Sequence, residues 1–162
     1  MNINLTQIAT IQSPFCNLEN MPIQPKGAKN TFVTIEFKKE YQDGLKDLDG
    51  FSHIYLIYYF HKVSNHQLTV VPFNDENNTP RGIFSTRTPL HPNKIGLSIV
   101  ELISVEQNIV TIKGIDVLDG TPLLDIKPYI ENFDKIDGIT KSGWMKATID
   151  DVEMKRSDNR FI

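Results

Sequence analysis

A single cysteine, Cys16, among 162 residues excludes an intrachain disulfide and any zinc site built on paired cysteines. None of the nine glycines stands one residue from another. The G-x-G of the dinucleotide fingerprint is therefore absent, and so is the G-x-x-x-x-G-K-S/T phosphate loop. Any nucleotide cofactor must be held outside those two frameworks. No window approaches about 18 uninterrupted apolar residues, so the sequence predicts no membrane-spanning helix. The opening MNINLTQIAT has neither a cationic head nor an apolar run, so no secretory leader is expected and the expectation is a soluble cytoplasmic protein. A net charge of −3 excludes a generic nucleic-acid coat, whose footprint is strongly basic, but leaves room for a local basic patch. With 40% apolar and 23% charged residues, the chain is globular and long enough for one domain with a sizeable core.

Helical pattern is scarce too. Only LKDLDGF (45–51) and the tail GWMKATIDDVEMKR (143–156) could hold helix, and Gly143 with the β-branched residues weakens the second. Strand pattern dominates. TFVTIEF (31–37) alternates, with Val33, Ile35 and Phe37 on one face. The segment after the Asp49-Gly50 turn, FSHIYLIYYFH, is apolar on both faces, as a central strand would be. LTVVPF (68–73) reads as a short strand at an edge because of Pro72. IGLSIVELISVE and IVTIKGIDVL, separated by Gln107-Asn108, form a hairpin signature. A further short strand is expected at Leu123–Ile126. Roughly seven strands on short links, with no βαβ rhythm, predict an all-β domain: an antiparallel β-barrel around residues 8–128, closed or nearly so. Residues 1–135 are assigned to the barrel domain, and 136–162 to an extension packing on it.

Two constellations carry chemistry. RGIFSTRTPLHPNKIGLS (81–98) is entirely cationic in its charges, and nothing acidic occurs from Asn77 to Val100. Arg87, His91 and Lys94 fall within eight residues stiffened by Pro89 and Pro92, a backbone partly shaped in advance as ligand loops require. Asn93 adds a bidentate-capable amide. A rigid solvated loop fits the same composition. In GIDVLDGTPLLDIKPY (114–129), Asp116, Asp119 and Asp125 stand among aliphatic residues, and a carboxylate there must be paired, solvated or shifted in pKa. Asp119 also reads as a turn residue, and Asp125 with Lys127 as either a pair reaching into a pocket or an ordinary surface pair. His53 and His61 share a strand face, but no motif supplies three metal ligands, so no metal is expected. The loop SPFCNLENMPIQP (13–25) offers Gln24 as a polar amide. Cys16 has no basic residue within nine positions to activate it.

The motifs SPF…MPIQP, LDGFSHIYLIYYFH, RGIFSTRTPLHPNKIGLS and GIDVLDGTPLLDIKPY, in this order from about Ile8 to Tyr129, resemble those of the TsaA-like, or TrmO, family. The resemblance implies an S-adenosylmethionine-dependent N-methyltransferase on a non-Rossmann β-barrel. It also implies homodimers and tRNA as partner, with methylation at N6 of N6-threonylcarbamoyladenosine beside the anticodon. By the same resemblance the cofactor lies against Phe84, Thr86, Arg87, His91, Asn93 and Ile95 from one loop. From the other segment it meets Asp116, Leu118, Asp119, Thr121, Lys127 and Tyr129. Gln24, Arg81 and Lys94 are assigned to substrate, and Asp125 and His61 to removal of the N6 proton. Two departures stand out: His91 replaces the family's usual arginine and Lys94 its usual proline. They keep open a methyltransferase of the same fold acting on another RNA or a small molecule, and a non-catalytic S-adenosylmethionine-binding module.

Overall fold

The computed structural model describes residues 2–17, 28, 30–73, 75, 77–146 and 148. Its body is a closed barrel of six antiparallel strands in the order β1-β2-β7-β6-β3-β8. The strands are β1 (Ala9–Gln12), β2 (Phe32–Phe37), β3 (His53–Tyr59), β6 (Ile95–Glu106), β7 (Ile109–Lys113) and β8 (Thr121–Pro128). A two-stranded ribbon, β4 (Thr69–Val70) with β5 (Arg81–Gly82), sits in the long β3–β6 connection. The expected antiparallel barrel is thus the fold, and closure removes every edge strand from its body.

Period-two alternation fills the interior. Ile11, Ile35, Ile54, Leu56, Val110, Ile112 and Leu123 are each 0% exposed, every second residue along its strand. Each such side chain stabilises the fold by about 1.5–3 kcal/mol. Two bulges shape the wall. Leu124 is the extra residue where Ile57 pairs with Asp125 but Tyr58 with Leu123. Ile103 is extra where Leu102 pairs with Ile112 but Ser104 with Thr111. Such insertions bend a strand and increase its twist. The β6–β7 hairpin turns on Gln107-Asn108 as expected; the Asn108 carbonyl accepts from the Phe37 amide and its side-chain amide donates to the Phe37 carbonyl, each at 2.8 Å.

Several local expectations change. β1, ATIQ, alternates over only four residues, the shortest run that signals a strand, and is not among the expected strands. It forms because the barrel needs a strand between β2 and β8. β3 is not apolar on both faces because both are buried: Ile54, Leu56 and Tyr58 point inward, while Tyr55, Ile57 and Tyr59 lie half-buried on the outer wall. LTVVPF contributes only two strand residues. Within LKDLDGF, Leu48–Gly50 is a 3-10 turn, following another at Lys39–Leu45. The α-helix that forms, α1 (Glu131–Asp134), is one turn outside both expected helical segments. Gly143–Lys146 are not helical, and most of that tail lies outside the described residues.

Strand direction sorts the connections. The short 107–108 turn and the 38–52 link lie at one end of the barrel. The connections that leave β1, β3 and β7, the last of them residues 114–120, start from the other end. Inside this upper end, the Tyr58 ring lies directly over Gly96, occupying the space a Cβ there would need. Gly96→Ala is therefore expected to destabilise the protein by about 2–3 kcal/mol, whereas Gly44→Ala, with open space around it, is expected to stay within about 0.5 kcal/mol. Urea unfolding of both variants checks this.

Candidate functional site

The 60–94 connection is long, yet it is anchored by a small core of its own. Val70, Ile83 and Leu90 are buried together against Val63 and Phe73. On this base the Ile83–Ser85 turn projects Phe84 outward, 79% exposed. Its carbonyls are held by side chains: Ser85 Oγ donates to Gly82 at 2.7 Å, Thr86 Oγ1 to Ile83 at 2.8 Å, and Trp144 Nε1 to Ser85 at 2.9 Å. His91 Nε2 meets the Thr86 carbonyl at 3.1 Å, and its ring stands edge-on to Phe84, centroids 5.9 Å apart. Because a carbonyl only accepts, this nitrogen carries the proton and donates. His91 thus braces the loop from within.

The cations of this stretch separate by partner. Arg81 Nε lies 2.6 Å from the buried carboxylate of Asp75. The Arg81 hydrogen bond holds the Asp75 carboxyl below its ordinary range, against the opposing effect of burial. Lys94 Nζ donates to the Ser64 carbonyl at 2.8 Å, and its φ of +52° is one that a proline ring cannot adopt. Arg87 is exposed and, among the described residues, has no ion pair. Asn93, six residues on, is exposed too, and Ile95 opens β6 at 40% exposure.

The second wall is residues 114–121. Ile115 and Val117 are buried in the barrel core, leaving Asp116 between them as a half-buried carboxylate. Asp119 serves as a latch: its Oδ1 accepts from the Ser13 amide at 3.0 Å, and its own amide donates to Phe15 at 2.8 Å. Ser13 Oγ donates to the Val117 carbonyl at 2.6 Å, and Gly120, at φ +74°, donates its amide to Ile11. Thr121 Oγ1 closes the turn on the Leu118 carbonyl at 2.6 Å. The sequence showed Asp119 as a turn residue but not its reach across to Ser13.

Tyr58, from β3, links the two walls. Its hydroxyl meets Ser98 Oγ at 3.1 Å inside the barrel. Burial, then the charge of Asp116, drives its pKa well above the phenol range, while Ser98 and the charge of Arg87 oppose them. Asp116 and Arg87 therefore both act on one buried hydroxyl without pairing to each other. Although Asp116 retains some exposed area, protein packs closely enough around its carboxyl to push the pKa up to about 7. Burial, with Lys62 adding to it, lowers the pKa of His61, half-buried just beyond β3, and keeps the ring neutral at pH 7. Tyr58, Gly96 and Ser98 are site residues the sequence analysis passed over. The available signal was two small residues at alternate inward positions of β6, opposite an inward tyrosine.

Among the described residues, Asp125, Lys127 and Tyr129 lie away from this group. Asp125 is on the outer wall of β8, about 10–13 Å along the strand from Thr121, and pairs with Lys127 at 2.6 Å with both side chains well exposed. It lines a cleft of about 580 Å³ at the lower end, with Tyr41, Leu48 and Phe51. Tyr129 packs near His53 and Tyr55 at that same end. Gln24 lies outside the described residues. Among the described residues, no three His, Cys, Asp or Glu side chains cluster to hold a metal ion, and no helix is long and apolar enough to cross a membrane.

Residues 10–135 match the family model described as the tRNA-methyltransferase O N-terminal domain. A Pyrococcus abyssi protein named "Probable S-adenosyl-L-methionine-binding protein" is 44% identical, over 96% of this chain and 83% of its own. The mouse tRNA (adenine(37)-N6)-methyltransferase is 35% identical over 82% of this chain, which spans only 32% of the mouse protein. The crystal structure of TrmO from Pseudomonas aeruginosa superimposes with a TM-score of 0.72 at 32% identity, covering 88% of this chain and 62% of that one.

A carboxyl pushed by burial up to about 7 from its ordinary 3.8 binds its proton more tightly in the folded state. Its contribution to stability is full below pH 4 and is lost as pH rises through 7. Asp116→Asn is therefore expected to stabilise the protein at pH 8, on the order of 2 kcal/mol, with the gain vanishing below pH 4. Urea titrations at the two pH values measure it.

Proposed function

The chain belongs to the tRNA-methyltransferase O N-terminal domain family of S-adenosylmethionine-binding proteins, and we propose that it transfers a methyl group from S-adenosylmethionine to N6 of the threonylcarbamoyl-adenosine beside the anticodon of tRNA. The observation that carries this reading is the pair of opposite charges, Arg87 and Asp116. Both are within electrostatic reach of Tyr58, and neither has an ion-pair partner among the described residues. A site with both signs left free suits a ligand that carries both signs. S-adenosylmethionine is one, with a carboxylate, an ammonium and a sulfonium beside an apolar base.

The residues present fit that ligand. Arg87 would hold the carboxylate, and Asp116 a cationic centre or the ribose hydroxyls. Phe84 and Ile95, exposed at 79% and 40%, offer apolar contact for adenine, and Asn93 a bidentate amide. Bound there, the cofactor supplies an electrophilic methyl group. The protein's part is to orient the acceptor, exclude water and take a proton. A carbamoylated N6 carries a more acidic proton than plain adenine. His61, neutral at this end of the barrel, is the group proposed to accept it. Asp125, tied to Lys127 on the outer wall, leaves that role to His61.

A homodimer is part of the same reading. The outer face of β6 presents Ile95, Leu97, Ile99 and Ile103, each 40–54% exposed, an apolar strip of the kind that marks an interface. Pairing two protomers would also double the cationic surface offered to an anticodon stem and loop. That matters in a chain of net charge −3, because phosphate contacts dominate affinity for RNA.

Arg87→Ala is expected to weaken S-adenosylmethionine binding at least tenfold, since it removes a charge-assisted contact. Lys39→Ala, on the far end, is expected to change it less than twofold. Affinity in the unaltered protein is expected to rise from pH 6 to pH 8 as Asp116 ionises, and Asp116→Asn to flatten that rise. Calorimetry on EDTA-treated protein reads all three. Labelled S-adenosylmethionine incubated with threonylcarbamoylated tRNA, the unmodified tRNA and a metabolite extract should label only the first. Label only in the extract would move the acceptor to a small molecule. Binding without label anywhere would leave a cofactor-binding module.

A further inference from the structure

The carbonyls of the turn that carries Phe84 and leads into Arg87 are gripped almost entirely from within their own connection. Ser85, Thr86 and His91 all belong to residues 60–94. The bond from Trp144 Nε1 to the Ser85 carbonyl, 2.9 Å, comes from outside it, 59 residues along the chain. Trp144 is also held in its turn. The Arg81 guanidinium lies over its ring at 5.4 Å, a distance at which the ring quadrupole attracts a cation. Arg81 in turn is fixed by Asp75 at 2.6 Å. Asp75 is buried, 7% exposed, and accepts from the Asn77 amide at 3.0 Å. A chain of contacts thus runs from a buried carboxylate through Arg81 and the tail to the back of the Ile83–Ser85 turn.

We propose that Trp144 is a positioning residue: the segment after α1 straps across the 60–94 connection and sets the Ile83–Thr86 turn, and through it Arg87 and Phe84, in the geometry that receives the methyl donor. Arg81 then acts as the clamp for this strap, in place of the RNA contact expected of it. The connection needs such a strap. Its own core is three buried aliphatic residues, its ribbon strands are two residues each, and Phe84 and Arg87 project from it into solvent. Local stability this low permits opening on its own, and a binding loop that must be ordered on each encounter loses affinity. The consequence for the donor rests on the reading above that this loop binds S-adenosylmethionine. The strap itself does not.

The test uses hydrogen exchange and the chain's only tryptophan. Trp144→Ala removes both contacts; Trp144→Phe keeps a ring beneath Arg81 but lacks the donor. In Trp144→Ala, exchange of the amides of Ile83–Arg87 is expected to rise at least tenfold while barrel strands β2, β6 and β7 stay protected. Trp144→Phe should fall between that variant and the unaltered protein. S-adenosylmethionine should bind about three- to tenfold more weakly to Trp144→Phe. In the unaltered protein, saturation with it should shift the Trp144 emission maximum. Unchanged exchange across Ile83–Arg87 in Trp144→Ala would overturn the strap. So would a rise shared by the whole barrel, because the role would then be general stability. If exchange rises locally but the unaltered protein binds no S-adenosylmethionine, the strap stands and the donor reading falls.

Discussion

Everything at the candidate site depends on barrel closure. Six antiparallel strands pair until β1 meets β8, and antiparallel neighbours joined in this order leave their connections at alternate ends. The short hairpin and the 3-10 link fall to the lower end, and the connections leaving β1, β3 and β7 to the upper. Residues far apart in sequence, Ser13, Arg87 and Asp116, therefore come to one end of the molecule without any element dedicated to gathering them. Loops on a rigid scaffold are where binding groups are usually presented. Here the scaffold also reaches into the site, because Tyr58 rises from inside the barrel to meet Ser98 and to feel both charged walls.

Closure also fixes what each charged residue can do. Asp119 looked like a ligand group or a turn residue, and it serves as the latch that ties the first connection to the third. Arg81 and Lys94 looked like free cations, yet one is held by Asp75 and the other by a carbonyl. With these committed, Arg87 and Asp116 stand out by elimination. Burying a carboxylate without a partner raises its pKa and costs stability. Asp116 bears that cost at the same end of the barrel as the unpaired Arg87, a pattern typical of binding sites.

The fold was largely legible in the sequence because alternation with period two is written along β2, β6 and β7, and Gln107-Asn108 marks their hairpin. The short β1 and the two-residue ribbon were not, since pairing rather than pattern creates them. β3 misled for a physical reason: an outer wall rich in Ile and Tyr has the same composition as a strand buried on both faces. The loop residues of the candidate site were singled out through the motifs that resemble the family. Asp125, Lys127 and Tyr129 followed them in sequence but not in space. The bulge at Leu124 and the direction of β8 carry these three onto the outer wall and toward the opposite end. Tyr58 was hidden because its role depends on the closed barrel, where Gly96 and Ser98 make room for it.

The proposed donor site is at the upper end, between the 60–94 and 114–120 connections. The lower end offers a rival, the cleft of about 580 Å³ beneath the Lys39–Leu45 turn. A titration of isotopically labelled protein with S-adenosylmethionine, followed through its backbone amide resonances, decides between them. Saturable shifts concentrated at Phe84–Ile95 and Ile115–Thr121, with the Tyr41–Leu48 amides unmoved, are the predicted result. Shifts confined to Lys39–Phe51 and Asp125–Pro128 would contradict it.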